Sequence, residues 1–164
     1  MQMRWSIHSN RTLFKGFFKL TELHLTHQLY AGGESPLLRR ELLVKGNAVG
    51  LLPYDPRRDS LVLVEQFRVG LIGTVDPPWS IETVSGFCDR AHETPESVAR
   101  REVVEEAGCQ LIALTHIGEF IVSPGMSVER INLYCGRVDA TRAGGIHGLE
   151  HEGEEMRVVT MPRE

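Results

Sequence analysis

Three glutamates, Glu102, Glu105 and Glu106, stand at positions i, i+3 and i+4. On a helix that spacing gathers them on one arc, with neighbouring side chains about 5–6 Å apart. Carboxylates so close repel one another, so away from open water they need either raised pKa values or a cation between them. Hard oxygen ligands presented together suit Mg²⁺, with Mn²⁺ as a substitute. The competing reading is a solvated acidic helix face, the commoner fate of an arbitrary glutamate triplet. A second acidic run, Glu150-His151-Glu152-Gly153-Glu154-Glu155, is either a solvated turn or, beside a metal-loaded helix, the source of a general base. Arg68 ends an apolar run, and its guanidinium fork matches phosphate oxygens, although an arginine at a strand end is commonly exposed and idle. Phe17 and Phe18 offer faces for stacking on a base or bulk for a core; neighbours in a strand point to opposite sides, so one of the two would stack.

Other chemistries find less support. His92, His116, His147 and His151 have no paired ligand spacing, and Cys88, Cys109 and Cys135 read as small hydrophobes or loop residues, which argues against zinc and thiol catalysis. Gly70 and Gly73 are too sparse for a phosphate loop, and Trp79 reads as packing.

The glutamate helix has both ends written into the chain. Thr94 can accept from orphan amides as N-cap, Pro95 fits the first helical position, and Glu96 favours the positive end of the dipole. Ala99, Val103 and Ala107 recur every fourth residue on a core face, and Gly108 supplies a left-handed stop. The pattern predicts a helix from Pro95 to Ala107. Residues 48–52 and 61–64 read as a hairpin whose loop is Pro53 to Asp59, and further strands are expected at 79–84, 117–122, 131–138 and 156–161. The stretch 11–43, with Leu20, Leu23, Leu25 and the turn Ala31-Gly32-Gly33, reads as a small strand-rich lobe. A boundary near Lys45-Gly46 divides residues 1–45 from a body at 46–164, of α/β class with a mixed sheet under helix cover.

A chain of 164 residues suffices for one domain with a small appendage. Hydrophobic residues at 41% and charged residues at 24% exclude disordered, collagenous and coiled-coil classes. A net charge of -4 gives no electrostatic reason to bind nucleic acid or an anionic membrane. The charge is uneven: residues 1–50 hold seven Lys and Arg against three Glu, so a basic arm accompanies an acidic body, as suits an anionic substrate brought to cations. An odd set of three cysteines favours a reducing compartment. With no apolar run near the roughly 20 residues of a membrane helix and no signal-like start, a cytoplasmic protein is expected.

From Glu93 seven residues lead to Arg101-Glu102-Val103-Val104-Glu105-Glu106-Ala107-Gly108-Cys109, with Gly86 upstream. This resembles the Nudix box: Gly, five residues, Glu, seven residues, then Arg-Glu-apolar-x-Glu-Glu-x-Gly-apolar. One departure is visible, since six residues, Phe87 to His92, separate Gly86 from Glu93. The extra residue falls in the loop before the helix and leaves the helix register untouched. Likeness to the bacterial ADP-ribose pyrophosphatase branch extends through Gly16-Phe17-Phe18, Arg39-Arg40-Glu41, Leu52-Pro53-Tyr54-Asp55-Pro56, Val64-Glu65-Gln66-Phe67-Arg68, Glu82-Thr83-Val84-Ser85-Gly86, Ser123-Pro124-Gly125 and the stretch from Val138 to Leu149. Pro124, 16 residues after Gly108, matches the placement that marks the ADP-ribose subgroup.

The resemblance implies a Nudix α/β/α sandwich with an N-terminal β-rich lobe serving a homodimer. It implies Mg²⁺-dependent hydrolysis of ADP-ribose to AMP and ribose 5-phosphate. Glu102, Glu105, Glu106, Glu154 and the Ser85 carbonyl would hold metal, and Glu152 would act as base. Arg68 would contact the diphosphate and Phe17 and Phe18 the adenine. Arg40, Glu41 and Lys45 would reach substrate, partly across the dimer, with Phe87 beside them and Ser123 and Glu129 on the ribose side. Alternatives are hydrolysis of ADP-glucose or GDP-mannose, and a nucleotide-binding module without turnover. The family continues into a C-terminal helix where this chain stops at Pro162-Arg163-Glu164, so exposed apolar surface and reduced stability are expected there.

Overall fold

The computed structural model describes residues 3–163, which fall into two compact units. The first runs to Gly46 and takes in Ile121–Arg130. It is a three-stranded antiparallel sheet of β1 (Trp5–Lys15), β2 (Lys19–His27) and β3 (Leu38–Val44), in that order. The 121–130 segment joins it through a bridge between Leu43 and Ser127, with the Leu43 amide donating to Met126 O at 2.8 Å. Every residue of β1 is exposed, including Trp5, Ile7, Leu13 and Phe14. The buried groups of this unit are largely polar: Thr21, Thr26 and Glu22, the last paired with Arg39 and Arg11.

The second unit is Asn47–Phe120 with the chain from Ile131 onward. Its strands are β4 (Ala48–Asp55), β5 (Ser60–Phe67), β6 (Trp79–Glu82), β7 (Val84–Phe87), β8 (Ala113–Ile121), β9 (Arg130–Arg137), β10 (Ile146–His147) and β11 (Met156–Pro162). They form one sheet, ordered β10-β11-β5-β4-β9-β8, with β6 pairing β5 and β7 pairing β4. The β4–β9 pair is parallel and β5 is antiparallel to its neighbours, so the sheet is mixed and the class is α/β. Among the described residues it carries a single α-helix, α1 (Pro95–Ala107); the second helical layer of the expected sandwich is not among them.

The helix has the expected bounds. Thr94 Oγ1 accepts from the Ser97 amide at 3.2 Å while Ser97 Oγ accepts from the Thr94 amide at 2.9 Å, so two orphan donors are satisfied reciprocally. At the other end Gly108 takes φ 61°, and its amide donates to Val104 O at 3.1 Å. Val98, Ala99, Val103 and Ala107 are buried against Val49, Leu51, Val62, Val64, Val84, Met156 and Val158.

Two strand expectations change. Pro53, Tyr54 and Asp55 belong to β4, not to the loop, and β4 pairs β5 only at Tyr54 and Asp55. Proline tolerates this place because Pro53 pairs Gly136 of β9 and falls between the last partner from β7, at Leu51, and the first from β5. The strand expected at 79–84 is two: β6 lies on β5, then the chain passes at Thr83 to β7 on β4. On the sheet face away from α1, Met161 lies opposite Leu61 and Phe67 opposite Trp79, and Phe67, Trp79, Ile81 and Met161 are exposed.

Candidate active site

The second unit sets α1 directly over β7. Gly86 sits so close to the helix that a Cβ on it would stand 1.8 Å from Glu102 Oε1, so only glycine leaves the carboxylate its place. One residue earlier, the Ser85 amide donates to Glu106 Oε2 at 3.0 Å. Glu106 is 4% exposed, and among the described residues the Ser85 amide is its one hydrogen-bond partner. Burial raises its carboxyl to about 8, against the Ser85 bond, with Glu102 and Glu154 adding repulsion. Glu102, with a side chain 12% exposed, is raised to about 7, again first by burial and then opposed by Arg101.

Arg101 is the hub that the sequence reading left without a role. Its Nη1 donates to Glu102 Oε1 and to Glu105 Oε2, both at 2.8 Å, and its Nε donates to Glu93 Oε1 at 3.0 Å. Arg90 approaches Glu105 at 3.9 Å. The extra residue between Gly86 and Glu93 is absorbed in the loop, where His92 takes φ 69°, and Glu93 still reaches Arg101. The i, i+4 spacing of Arg101 and Glu105 was the available signal for this contact.

The loop after β10 closes on the same end of the helix. The Gly148 amide donates to Glu105 O at 3.2 Å, and the His147 ring fills the space beside Gly108. Glu154 is thereby partly buried, and its carboxyl is raised by burial and by Glu152; the fields of Glu105 and Arg68 also reach it. Glu152 is further out, on a short 3-10 turn (Glu150–Glu152), with its side chain 49% exposed and 3.6 Å from the His151 ring.

Arg68 follows β5, and its Nη2 donates to Glu82 Oε2 at 2.7 Å while Nε lies 3.1 Å from both carboxylate oxygens. Glu82 is a second residue to which the sequence reading gave no role of its own. Phe87 ends β7 opposite Ala48.

The remaining expected residues lie in the first unit. Phe17 and Phe18 occupy the turn between β1 and β2, not a strand, and meet edge to face with centroids 4.9 Å apart. Phe17 is 83% exposed; Lys45 lies over the Phe18 ring at 5.3 Å and pairs with Glu129 at 3.3 Å. Glu41 lies 3.3 Å from Arg39, Arg40 Nη1 donates to Arg39 O at 2.8 Å, and Ser123 O accepts from the Met126 and Ser127 amides. Lys45, Phe18 and Glu129 are thus brought together; Arg40 and Glu41 stand on exposed positions of β3.

Chemically, Glu102, Glu106 and Glu154 are oxygen donors of the kind Mg²⁺ or Mn²⁺ accepts, and burial raises the carboxyls of Glu102 and Glu106 to about 7 and about 8. Among the described residues no three His, Cys, Asp or Glu side chains already stand as a closed cation site, and Arg101 bridges Glu102 and Glu105. The donor set fits a divalent cation that takes over charge Arg101 now only partly balances.

Residues 44–161 match the family model described as the NUDIX domain. The chain is 45% identical over 157 residues to the ADP-ribose pyrophosphatase of Haemophilus influenzae, covering 94% of this chain and 72% of that protein. It is 43% identical over 156 residues to that of Escherichia coli strain K12, covering 95% and 74%. A GDP-mannose pyrophosphatase of Cronobacter sakazakii is 32% identical over 165 residues, 99% of this chain and 83% of that one. A crystal structure of an ADP compounds hydrolase superposes with TM-score 0.71 at 20% identity, over 97% of this chain and 78% of the other, which bears on the fold alone. The buried glutamates over Gly86, the helix that carries them and the match through residue 161 have one common account: the chain belongs to the NUDIX family.

Proposed function

We propose that this protein hydrolyses the diphosphate of ADP-ribose to AMP and ribose 5-phosphate, with Mg²⁺ as the ion and Mn²⁺ able to replace it. The observation that carries the reading is Glu106: a carboxylate 4% exposed, held by one backbone amide and pushed up to about 8, beside Glu102 and in the field of Glu154. Such a group calls for a cation. The names of the relatives at 43–45% identity support the substrate.

In this reading Glu102, Glu105, Glu106, Glu154 and the Ser85 carbonyl hold the metal, which would supply charge neutralisation to the phosphoryl oxygens. Glu152, the most exposed of the acidic set, takes a proton from water as the water oxygen bonds to phosphorus; the bridging P–O bond breaks and the leaving phosphate departs with the electron pair. Arg68 donates to the diphosphate with the guanidinium edge that Glu82 leaves open. Phe17 and Phe18 recognise adenine, with Phe87, Arg40, Glu41 and Lys45 as further substrate contacts and Ser123 and Glu129 on the ribose side. The exposed strand β1, which presents Trp5, Ile7, Leu13 and Phe14 at the surface, supports a homodimer formed through the lobe. Three free cysteines support a cytoplasmic setting; among the described residues no helix is long and apolar enough to cross a membrane.

A second reading, hydrolysis of GDP-mannose, is favoured by the relative at 32% identity. Product analysis of ADP-ribose, ADP-glucose and GDP-mannose with and without Mg²⁺ decides between them. Release of AMP from ADP-ribose only with metal is expected. Faster cleavage of GDP-mannose would move the assignment, and binding of ADP-ribose without any product would make the chain a binding module.

A further inference from the structure

The acidic loop that carries Glu154 is held against α1 by a short series of contacts that begins at His147. The helix stops at Gly108, so the Glu105 carbonyl is among those left without a donor farther along it. Its donor comes from outside, the Gly148 amide at 3.2 Å. Gly148 in turn is packed on Glu154: at φ 104° its Cα lies so close that a Cβ would stand 2.7 Å from the Glu154 carbonyl oxygen. Between them Leu149 O accepts from the amides of Glu152 at 2.9 Å and Glu154 at 3.2 Å. Residues 148–154 are therefore folded on themselves, and fixing Gly148 on Glu105 fixes the Glu154 backbone beside the last turn of the helix.

His147, the residue before Gly148, braces this joint from two directions. Its ring seats on the bare Cα of Gly108, where a Cβ would lie 2.5 Å from Cε1 and 3.1 Å from Nε2. The same Nε2 lies 3.0 Å from Gly144 O, and since a carbonyl only accepts, Nε2 carries the proton. That bond closes the glycine turn, whose next carbonyl, Gly145 O, accepts from the Val158 amide of β11 at 3.0 Å. Docked on the helix end and tied to a turn that β11 also holds, the ring fixes the point from which the acidic loop departs. We infer that His147 is a positioning residue that registers the acidic loop on the end of α1 and so sets Glu154 toward the helix glutamates, a role that rests on the reading of Glu154 as an ion ligand.

The test pairs amide hydrogen exchange, followed by NMR on ion-free protein, with Mn²⁺ titration calorimetry in the absence of nucleotide, on the parent, His147→Ala and His147→Gln. In His147→Ala the Gly148 amide should exchange about tenfold faster, while the Leu51 and Val64 amides of the central strands keep parental rates. Mn²⁺ should bind about tenfold more weakly, the lower end of the effect of removing a residue that orients metal ligands. His147→Gln, which keeps a donor for Gly144 O, should lie between the two. On a Glu154→Gln background, His147→Ala should weaken Mn²⁺ no further; an equal further loss there overturns the inference, since His147 would then act elsewhere than on Glu154. Parental exchange at Gly148 overturns it, as does equal acceleration at Leu51 and Val64, which would give His147 a role in the fold at large. Faster exchange at Gly148 with parental Mn²⁺ affinity overturns it too, because the loop would be loosened without consequence for the ion. Should His147→Ala fail to fold by circular dichroism, His147→Leu, which covers Gly108 and cannot donate, makes the same decision with effects of about fivefold, the net worth of one hydrogen bond. A parent protein that binds no Mn²⁺ sinks the metal reading and the inference with it, whereas a parent that binds and variants that match it sink the inference alone.

Discussion

Gly86 and Glu102 share a space that holds only one of two things, a glycine's hydrogen or a side chain's first carbon: a Cβ on Gly86 would lie 1.8 Å from Oε1 and 2.2 Å from Cδ of Glu102. The clash is with the movable end of a side chain, and Gly86 has no positive φ to strain. Gly86→Ala should therefore cost stability only modestly, about 1 kcal/mol, while displacing Glu102 and lowering kcat about 100-fold. Thermal melts and kcat on ADP-ribose read both quantities. Parental turnover would remove Glu102 from the ion site.

The raised carboxyls of Glu102, at about 7, and Glu106, at about 8, give the ion-free protein a definite pH response. Their folded-state values lie above the ordinary glutamate value of 4.5, so the folded state binds more protons than the unfolded one between about 4.5 and 8. Their contribution to stability is present at low pH and is lost as pH rises through about 7 to 8. The melting temperature of chelator-treated protein should fall between pH 6 and about pH 8.5. Added Mg²⁺ should raise it more at the alkaline end, where protons no longer compete. A flat profile with no Mg²⁺ response would contradict the assignment.

Glu106→Gln separates charge from shape. The amide oxygen can keep the Ser85 hydrogen bond, and burial no longer penalises a charge. The variant should be at least as stable as the parent at pH 8 without metal, yet slower by about three orders of magnitude. Near-parental turnover at saturating Mg²⁺ would defeat the proposed mechanism.

Arg101 binds Glu93, Glu102 and Glu105 from a side chain 17% exposed. Arg101→Ala strands three partly buried carboxylates, and a loss of about 2–3 kcal/mol is expected in urea unfolding, below the full cost of breaking a buried pair because Glu105 is partly solvated. Added Mg²⁺ should recover part of it. Equal losses with and without Mg²⁺ would show that ion and arginine do not answer the same charge.

Glu152 and Glu154 differ in depth, and that difference assigns them separate tests. Glu152→Gln should lower kcat by about 10²–10⁴-fold with the Mg²⁺ requirement unchanged. Glu154→Gln, in the part-buried position repelled by Glu152, should raise the Mg²⁺ concentration needed for half-maximal rate. Exchanged outcomes would exchange the roles of base and ligand.

Much was legible from local signals. Thr94, Pro95 and Gly108 define α1 because capping and left-handed stops act within a turn of the chain, and the i, i+3, i+4 glutamates then share a face by helix geometry alone. The strand ends were less legible. Pro53 reads as a breaker, and only the gap between β5 and β7 along β4 makes its missing amide harmless.

What the amino-acid order determined by itself was which carboxylates cluster, where their helix starts and stops, and the family pattern through Glu93 and Arg101. Tertiary structure alone decided how dry each of them is. Glu106 is buried because β7 passes beneath it and Ser85 turns an amide toward it, whereas Glu152, two residues from the part-buried Glu154, stays in water. The pairing of Arg68 with Glu82 likewise follows from the register of β5 against β6. Desolvation and cross-strand register depend on residues distant in the chain, and proton affinity and metal demand follow from them, so these properties were absent from any local pattern.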